Sequence, residues 1–224
     1  MADLVDALAV SAPHRQRLDF LLAAHDLTAV LRVNRLLNGS RCETSAEHSW
    51  HLALAALTLG PEVAPGVDLG RVLAMLIVHD LPEVYAGDVP IHDEQARLAI
   101  AAVEEEAAVR LFGKLPAEQG NQLLALWHEF EAARTDEARF ARAIDRIQPL
   151  LLHWASDGAA WAERRVTVEQ ERRIMSAVDT FWPALAPTAA ALIDDAHRRG
   201  LLPAGADADA GAGADADAGQ AGPH

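Results

Sequence analysis

Cysteine is almost missing from this 224-residue chain, with Cys42 as its single example. No internal disulfide can form, and a cysteine-based zinc site lacks its ligands. A lone cysteine reads as a small filler residue in a reducing compartment. Long apolar runs are missing too: none approaches the ~20 residues that span a bilayer. The opening "MADLVDALAVSAPHRQRL" is too acidic, and its apolar run too short, for a secretory signal. These features set the expectation of a cytoplasmic protein with no membrane partner. Positive charge is scarce, with 19 Lys and Arg against 33 Asp and Glu and a formal charge of -14. Setting aside Asp207, Asp209, Asp215 and Asp217 near the end still leaves about -10 on the body. No basic stripe is present, so nucleic acid is not an expected partner. A small anionic substrate remains compatible, because a metal ion and a few arginines reverse the sign locally.

Sustained period-two alternation is also absent, which argues against strands. What is present is helical spacing in a chain that is 51% hydrophobic. Helices are expected over "HRQRLDFLLAAHDLTAVLR", "TSAEHSWHLALAALTL" with Thr44 or Ser45 as N-cap, and "LGRVLAMLIVHDLPEVYA". More follow over "DEQARLAIAAVEEEAAVRLFG", "PAEQGNQLLALWHEFEAA", "DEARFARAIDRIQPLLLHWA" and "PTAAALIDDAHRRG", with "RRVTVEQERRI" as a shorter one. "NGSRCETS" and "PEVAPGVD" read as loops. The fold class is all-α, a helical bundle around a polar centre. Residues 1–203 form one domain. Residues 204–224, alternating Ala with Gly or Asp, have no large side chain to offset their ordering entropy and read as a disordered tail.

The stretch "AMLIVHDLPEVYAGDVP", from Ala74 to Pro90, poses the functional question. An apolar helix ends on His79 and Asp80, then adds Glu83 and Asp88. Such charges are costly to bury without a partner. His48, at the start of another helix, and Asp145, inside the otherwise apolar "ARFARAIDRIQPLLL", supply candidates. Two imidazoles and two carboxylates make a mixed N/O set suited to one divalent transition metal: Mn, Co, Fe, Ni or Zn.

The elements "EHSWHLAL", "HDLPEVYAGD" and "FARAIDRIQPLLL", in this order, resemble the HD-domain metal-dependent phosphohydrolases. The nearer likeness is to the branch containing the bacterial 5'-deoxynucleotidases, and it runs from about Leu18 to Leu201. The resemblance implies metal ligation by His48, His79, Asp80 and Asp145, in a helical bundle with the metal between helices. It implies catalytic roles for Glu83 and Asp88, without saying which is acid and which is base, and a homodimer. It implies hydrolysis of nucleoside 5'-monophosphates. A phosphate-contacting arginine is implied upstream of His48, with Arg32 the first choice and Arg35 the second. Relatives place a Trp beside that arginine, against the sugar. Here Val33 follows Arg32, the nearest Trp is Trp50, and deoxyribose selectivity is expected to be loose.

Plainer roles are expected elsewhere. His51 reads as a structural histidine, Trp127 and Trp154 as core or dimer-contact aromatics, and Glu104 to Glu106 as a solvated helix face. Two other readings compete. A mixed-valent di-iron oxygenase of HD type would need further histidines such as His92 or His128. A nucleotide-binding protein without turnover would have lost a ligand, and none is lost here.

Overall fold

The computed structural model describes Val5, residues 8–89 and residues 94–205, with side chains in the last stretch described from residue 100 onward. Of the 204–224 tail, only Ala204 and Gly205 fall within the described residues.

Helix α1 (Ala12–His25) has Pro13 in its first turn, where a missing N–H costs nothing. A 3-10 turn (Asp26–Ala29) leads into strand β1 (Leu31–Arg35), which pairs antiparallel with β2 (Cys42–Thr44). The chain then runs through α2 (Ser45–Val63), α3 (Leu69–Val78), the single turn α4 (Glu83–Ala86), α5 (Glu94–Phe112) and α6 (Ala117–Ala132). It finishes with α7 (Asp136–Ala155), α8 (Ala159–Arg164), α9 (Val168–Phe181) and α10 (Ala186–Arg198).

Caps set several of these starts. The Thr44 hydroxyl accepts from the Glu47 N–H while the Glu47 carboxylate accepts from the Thr44 N–H, so Thr44 rather than Ser45 caps α2. Asp68 caps α3 and Thr135 caps α7 from one side only, their side chains accepting from the Arg71 and Ala138 N–H groups. Each such cap contributes ~1 kcal/mol.

Helix α7 runs through the middle and packs against α2, α3, α6, α9 and α10. Its Phe140, Ala141, Ile144 and Leu150 are fully buried, as are Val72, Met75 and Leu76 of α3. Burying each large side chain among these stabilises the fold by about 1.5–3 kcal/mol. Packing α3 on α7 has a second effect. It fixes where the polar end of α3 meets the middle of α7.

Three local expectations need correction. The helix expected through Arg32 stops at His25, and the expected loop "NGSRCETS" contributes β2. This hairpin escaped the alternation test because it is short and its inward residues are polar: Asn34 and Glu43 are buried. The single helix expected over "LGRVLAMLIVHDLPEVYA", with Pro82 ending or kinking it, is divided, and Pro82 belongs to the break. A turn separates α3 from α4. The helix at "RRVTVEQERRI" starts at Val168 and is longer than expected, extending to Phe181 behind a Thr167–Gln170 capping box. Among the described residues no helix is long and apolar enough to cross a membrane.

Candidate metal centre and active site

The corner after α3 carries the first half of the site. Turn hydrogen bonds from the Leu81 N–H to the Val78 carbonyl (3.1 Å) and from the Glu83 N–H to the Asp80 carbonyl (3.0 Å) bring His79, Asp80 and Glu83 close together. Trp127 of α6 donates its indole N–H to the His79 carbonyl at 3.0 Å and pins the corner. The first turns of α2 add His48, and the middle of α7 adds Asp145. One ligand atom each from His48, His79 and Asp145 lie within 4.8 Å of one another, all buried. Asp80 closes the group, its Oδ1 at 3.0 Å from His79 Nε2 and its Oδ2 at 3.9 Å from His48 Nε2.

Hydrogen bonds on the far side of each ring dictate what faces inward. His79 Nδ1 is 2.9 Å from the Leu76 carbonyl, which can only accept, so Nδ1 carries the proton. His48 Nδ1 lies 2.9 Å from Gln148 Oε1 and is a donor for the same reason. In the neutral rings that ligation requires, both Nε2 atoms then present lone pairs inward, and they face carboxylates. His48 Nε2 is 3.2 Å from Asp145 Oδ1, and His79 Nε2 is 3.8 Å from it. His79 Nε2 is buried and makes no hydrogen bond of adequate alignment. Lone pairs opposed to carboxylates call for a positive charge between them. A divalent cation fits this donor set, its charge and its geometry of second contacts.

The electrostatics agree. Burial would raise the Asp80 carboxyl, but His79 and Arg32 hold it at about 2. Burial would likewise raise Asp145, yet Arg146 and His48 keep it well below the usual carboxylate range. Burial and then Arg32 push the His48 imidazole down to about 4. At His79 burial lowers the pKa, but Asp80 outweighs it and the net shift is upward. Both carboxylates are thus anionic at neutral pH, and His48 is neutral, as ligation requires.

Beside this group, Arg32 of β1 reaches across with Nη1. It donates to Asp80 Oδ2 at 3.0 Å and lies 3.3 Å from Asp88 Oδ1 and 3.8 Å from Glu83 Oε1. Burial works against its charge, while Asp80, Asp88 and Glu83 raise its pKa further above the ordinary value. Ser45 donates to Glu83 Oε2 at 2.5 Å. Burial and Asp80 push Glu83 up to about 9, and burial also raises Asp88. A cavity of about 230 Å³ opens over these groups, with Arg32, His79, Asp80, Glu83, Asp88 and Asp145 in its wall.

Sequence reasoning placed His48, His79, Asp80, Asp145, Glu83, Asp88 and Arg32 here, and the structure brings all of them together. It does not bring Arg35, which is part-exposed and lies 3.9 Å from Glu163. Trp50 is 65% exposed and stacks on His51, outside the cavity wall, so it does not fill the space beside Val33. His51 accepts from Gln148 Nε2 at 2.9 Å, behind His48. Trp154 donates to Asp195. His128 pairs with Glu105 at the surface, and His92 lies outside the described residues. Sequence reasoning missed Gln148, Ser45, Asn34 and Glu43. Gln148 had a readable signal, three residues after Asp145 and so on the same face of α7.

Fold and donor set together define a class: a helical domain built around one buried, histidine- and carboxylate-lined cation site. The HD domain model matches residues 24–185, and the chain belongs to the HD domain family. The 5'-deoxynucleotidase HDDC2 of Bos taurus is 29% identical over 138 residues, which cover 61% of this chain and 66% of that protein. The protein of the same description from Dictyostelium discoideum is 26% identical over 114 residues, 49% of this chain and 60% of the relative. The chain thus spans less than two thirds of the length of these curated relatives. A crystal structure of a predicted metal-dependent phosphohydrolase from Magnetospirillum magnetotacticum MS-1 is 38% identical. It superposes with a TM-score of 0.81 over 86% of this chain and 100% of that one.

Proposed function

We propose that this chain is a metal-dependent phosphomonoester hydrolase that converts nucleoside 5'-monophosphates to nucleoside and inorganic phosphate. The observation that carries this is the juxtaposition in one cavity of a cation-demanding cluster, Arg32, and two carboxyls of raised pKa, Glu83 and Asp88. The 5'-deoxynucleotidase description of the relatives supports the substrate class. In this reading His48, His79, Asp80 and Asp145 hold one divalent transition metal, which supplies Lewis acidity at the phosphoryl group and acidifies water.

The chain's own residues do the rest. Arg32 offers its guanidinium to the non-bridging phosphoryl oxygens, where charge must be neutralised as the P–O bond breaks. Water attacks phosphorus and the bond to the 5'-oxygen breaks, so one proton must leave the water and one must reach the leaving oxygen. Glu83, the carboxyl pushed to about 9, holds the proton that goes to the leaving oxygen. Asp88, on the other side of the Arg32 Nη1 group, takes the proton from water.

Further parts of the proposal are a homodimer and a cytoplasmic setting. Trp50, Leu54 and Leu57 are exposed along one face of α2 at i, i+4, i+7 spacing, which suits a second copy of the chain. Sedimentation of the purified chain checks this, and a monomer at micromolar concentration would refute it. The test of function is a phosphate-release screen with Co²⁺ or Mn²⁺ across ribo- and deoxyribonucleoside 5'-monophosphates. Release from several of them is expected. No release from any would overturn the proposal.

A further inference from the structure

Glu43 is a carboxyl with only 2% exposure, on the strand facing Arg32, and the reaction above gives it no role. Arg32 and Asn34 lie in the irregular stretch of β1 between Leu31 and Arg35, and both reach the same carboxylate. Across the hairpin, Glu43 Oε1 accepts from Asn34 Nδ2 at 3.1 Å, lies 3.6 Å from Arg32 Nε and 3.7 Å from His48 Nδ1. Asn34 cannot turn away, because its Oδ1 lies 2.7 Å from His153 Nε2 of α7, and that oxygen can only accept. The amide nitrogen is thereby committed to Glu43. Arg32 is held along two edges: Nη1 faces Asp80, Asp88 and Glu83, and the buried Nε, which makes no hydrogen bond of its own, faces Glu43. A carboxylate this deep in a hairpin is costly unless its charge is used.

We propose that Glu43 is the positioning residue of the phosphate site. It holds the Nε edge of Arg32 in place, so that only the Nη groups swing from the neighbouring carboxylates to an incoming phosphoryl group. The inference rests on the phosphate-binding role proposed for Arg32. Its chemistry is electrostatic and local. A negative charge behind the guanidinium fixes its plane and keeps the buried cation tolerable before the anion arrives. Glu43 touches no substrate atom in this account.

The experiment is calorimetric titration of inorganic phosphate into the metal-loaded protein, with metal content and melting temperature measured on the same samples. Glu43→Gln is expected to keep the metal and the fold but to weaken phosphate binding by about 10-fold, within the range of coupling between charged groups in contact. KM for a phosphomonoester should rise by the same factor, with kcat changed less. In an Arg32→Ala background the same substitution should do nothing further to phosphate affinity. Unchanged phosphate affinity in Glu43→Gln, or an undiminished loss in the Arg32→Ala background, would overturn the proposal. Asn34→Ala removes the bond that fixes Glu43 but leaves its charge. It should weaken phosphate binding by a smaller factor, and an unchanged affinity there overturns the idea even if Glu43→Gln proves too unstable to measure. Failure of the proposed reaction looks different: wild-type protein would release no phosphate from any nucleotide.

Discussion

Oε1 of Gln148 accepts the Nδ1 proton of His48 at 2.9 Å, and the same amide donates to Nδ1 of His51 at 2.9 Å. The amide is held from both sides, so the His48 ring is fixed in orientation and tautomer with Nε2 turned inward. Losing such a support costs metal sites 10–100-fold in affinity, as a rule of about that size. Gln148→Ala should therefore fold and lose metal to a chelator at roughly 10–100-fold lower chelator concentration. Wild-type resistance to the chelator would show that His48 needs no such support.

Glu83 as proton donor makes a leaving-group prediction. Glu83→Gln should retain the metal and lose ~10²–10⁴-fold in turnover of a nucleoside 5'-monophosphate. With p-nitrophenyl phosphate, whose leaving group needs little protonation, the loss should be much smaller. An equal loss with both substrates would contradict the donor assignment for Glu83 and leave it another role.

Glu171 of α9 supplies a pH prediction about stability. Burial pushes its carboxyl up to about 7 against 4.5 for the free group, and Trp161 offsets this only in part. Below 4.5 both folded and unfolded forms are protonated and nothing is lost. As pH rises from 4.5 to about 7 the unfolded chain ionises first, so the stability present at low pH is progressively withdrawn. Above that window the full penalty applies, on the order of 3 kcal/mol. Glu171→Gln should thus match the wild type near pH 4.5 in denaturant midpoint and exceed it at pH 8. A variant that is no more stable than the wild type at pH 8 would refute this.

Val33 lines the cavity directly after Arg32, and the tryptophan that shares this wall among the described residues is Trp127 of α6, whose N–H donates to the His79 carbonyl. An apolar wall rejects an added hydroxyl by only about 10²-fold. Paired measurements of kcat/KM for deoxy- and ribonucleotides of one base should differ by no more than that. A far larger preference for the deoxy form would show that another residue blocks the ribose hydroxyl.

The helices and the cluster proposed to hold the metal were legible because both rest on strong local signals. Apolar spacing in "DEARFARAIDRIQPLLLHWA" marks α7 end to end, and His79–Asp80 stands out because it closes an apolar helix. The hairpin was not legible, since Asn34 and Glu43 invert the usual rule by turning polar side chains inward. For the same reason Glu43 gave no sign of its place: its partners Asn34, Arg32 and His48 are brought to it only by the hairpin and by packing on α2. Sequence ranks Arg32 ahead of Arg35 only through the resemblance. What separates them is their geometry on β1, with Arg32 directed at Asp80 and Arg35 at Glu163.

The central claim is that His48, His79, Asp80 and Asp145 hold one divalent metal on which phosphate release depends. The direct measurement is metal content per chain and phosphate release in the same preparations of wild type and Asp145→Ala. Asp145 lies 3.2 Å from His48 Nε2 and 3.8 Å from His79 Nε2, and it is the carboxylate that α7 brings to the group. One metal per wild-type chain is expected, with both metal and activity largely lost in the variant. An Asp145→Ala protein that remains fully metallated and active would contradict the account.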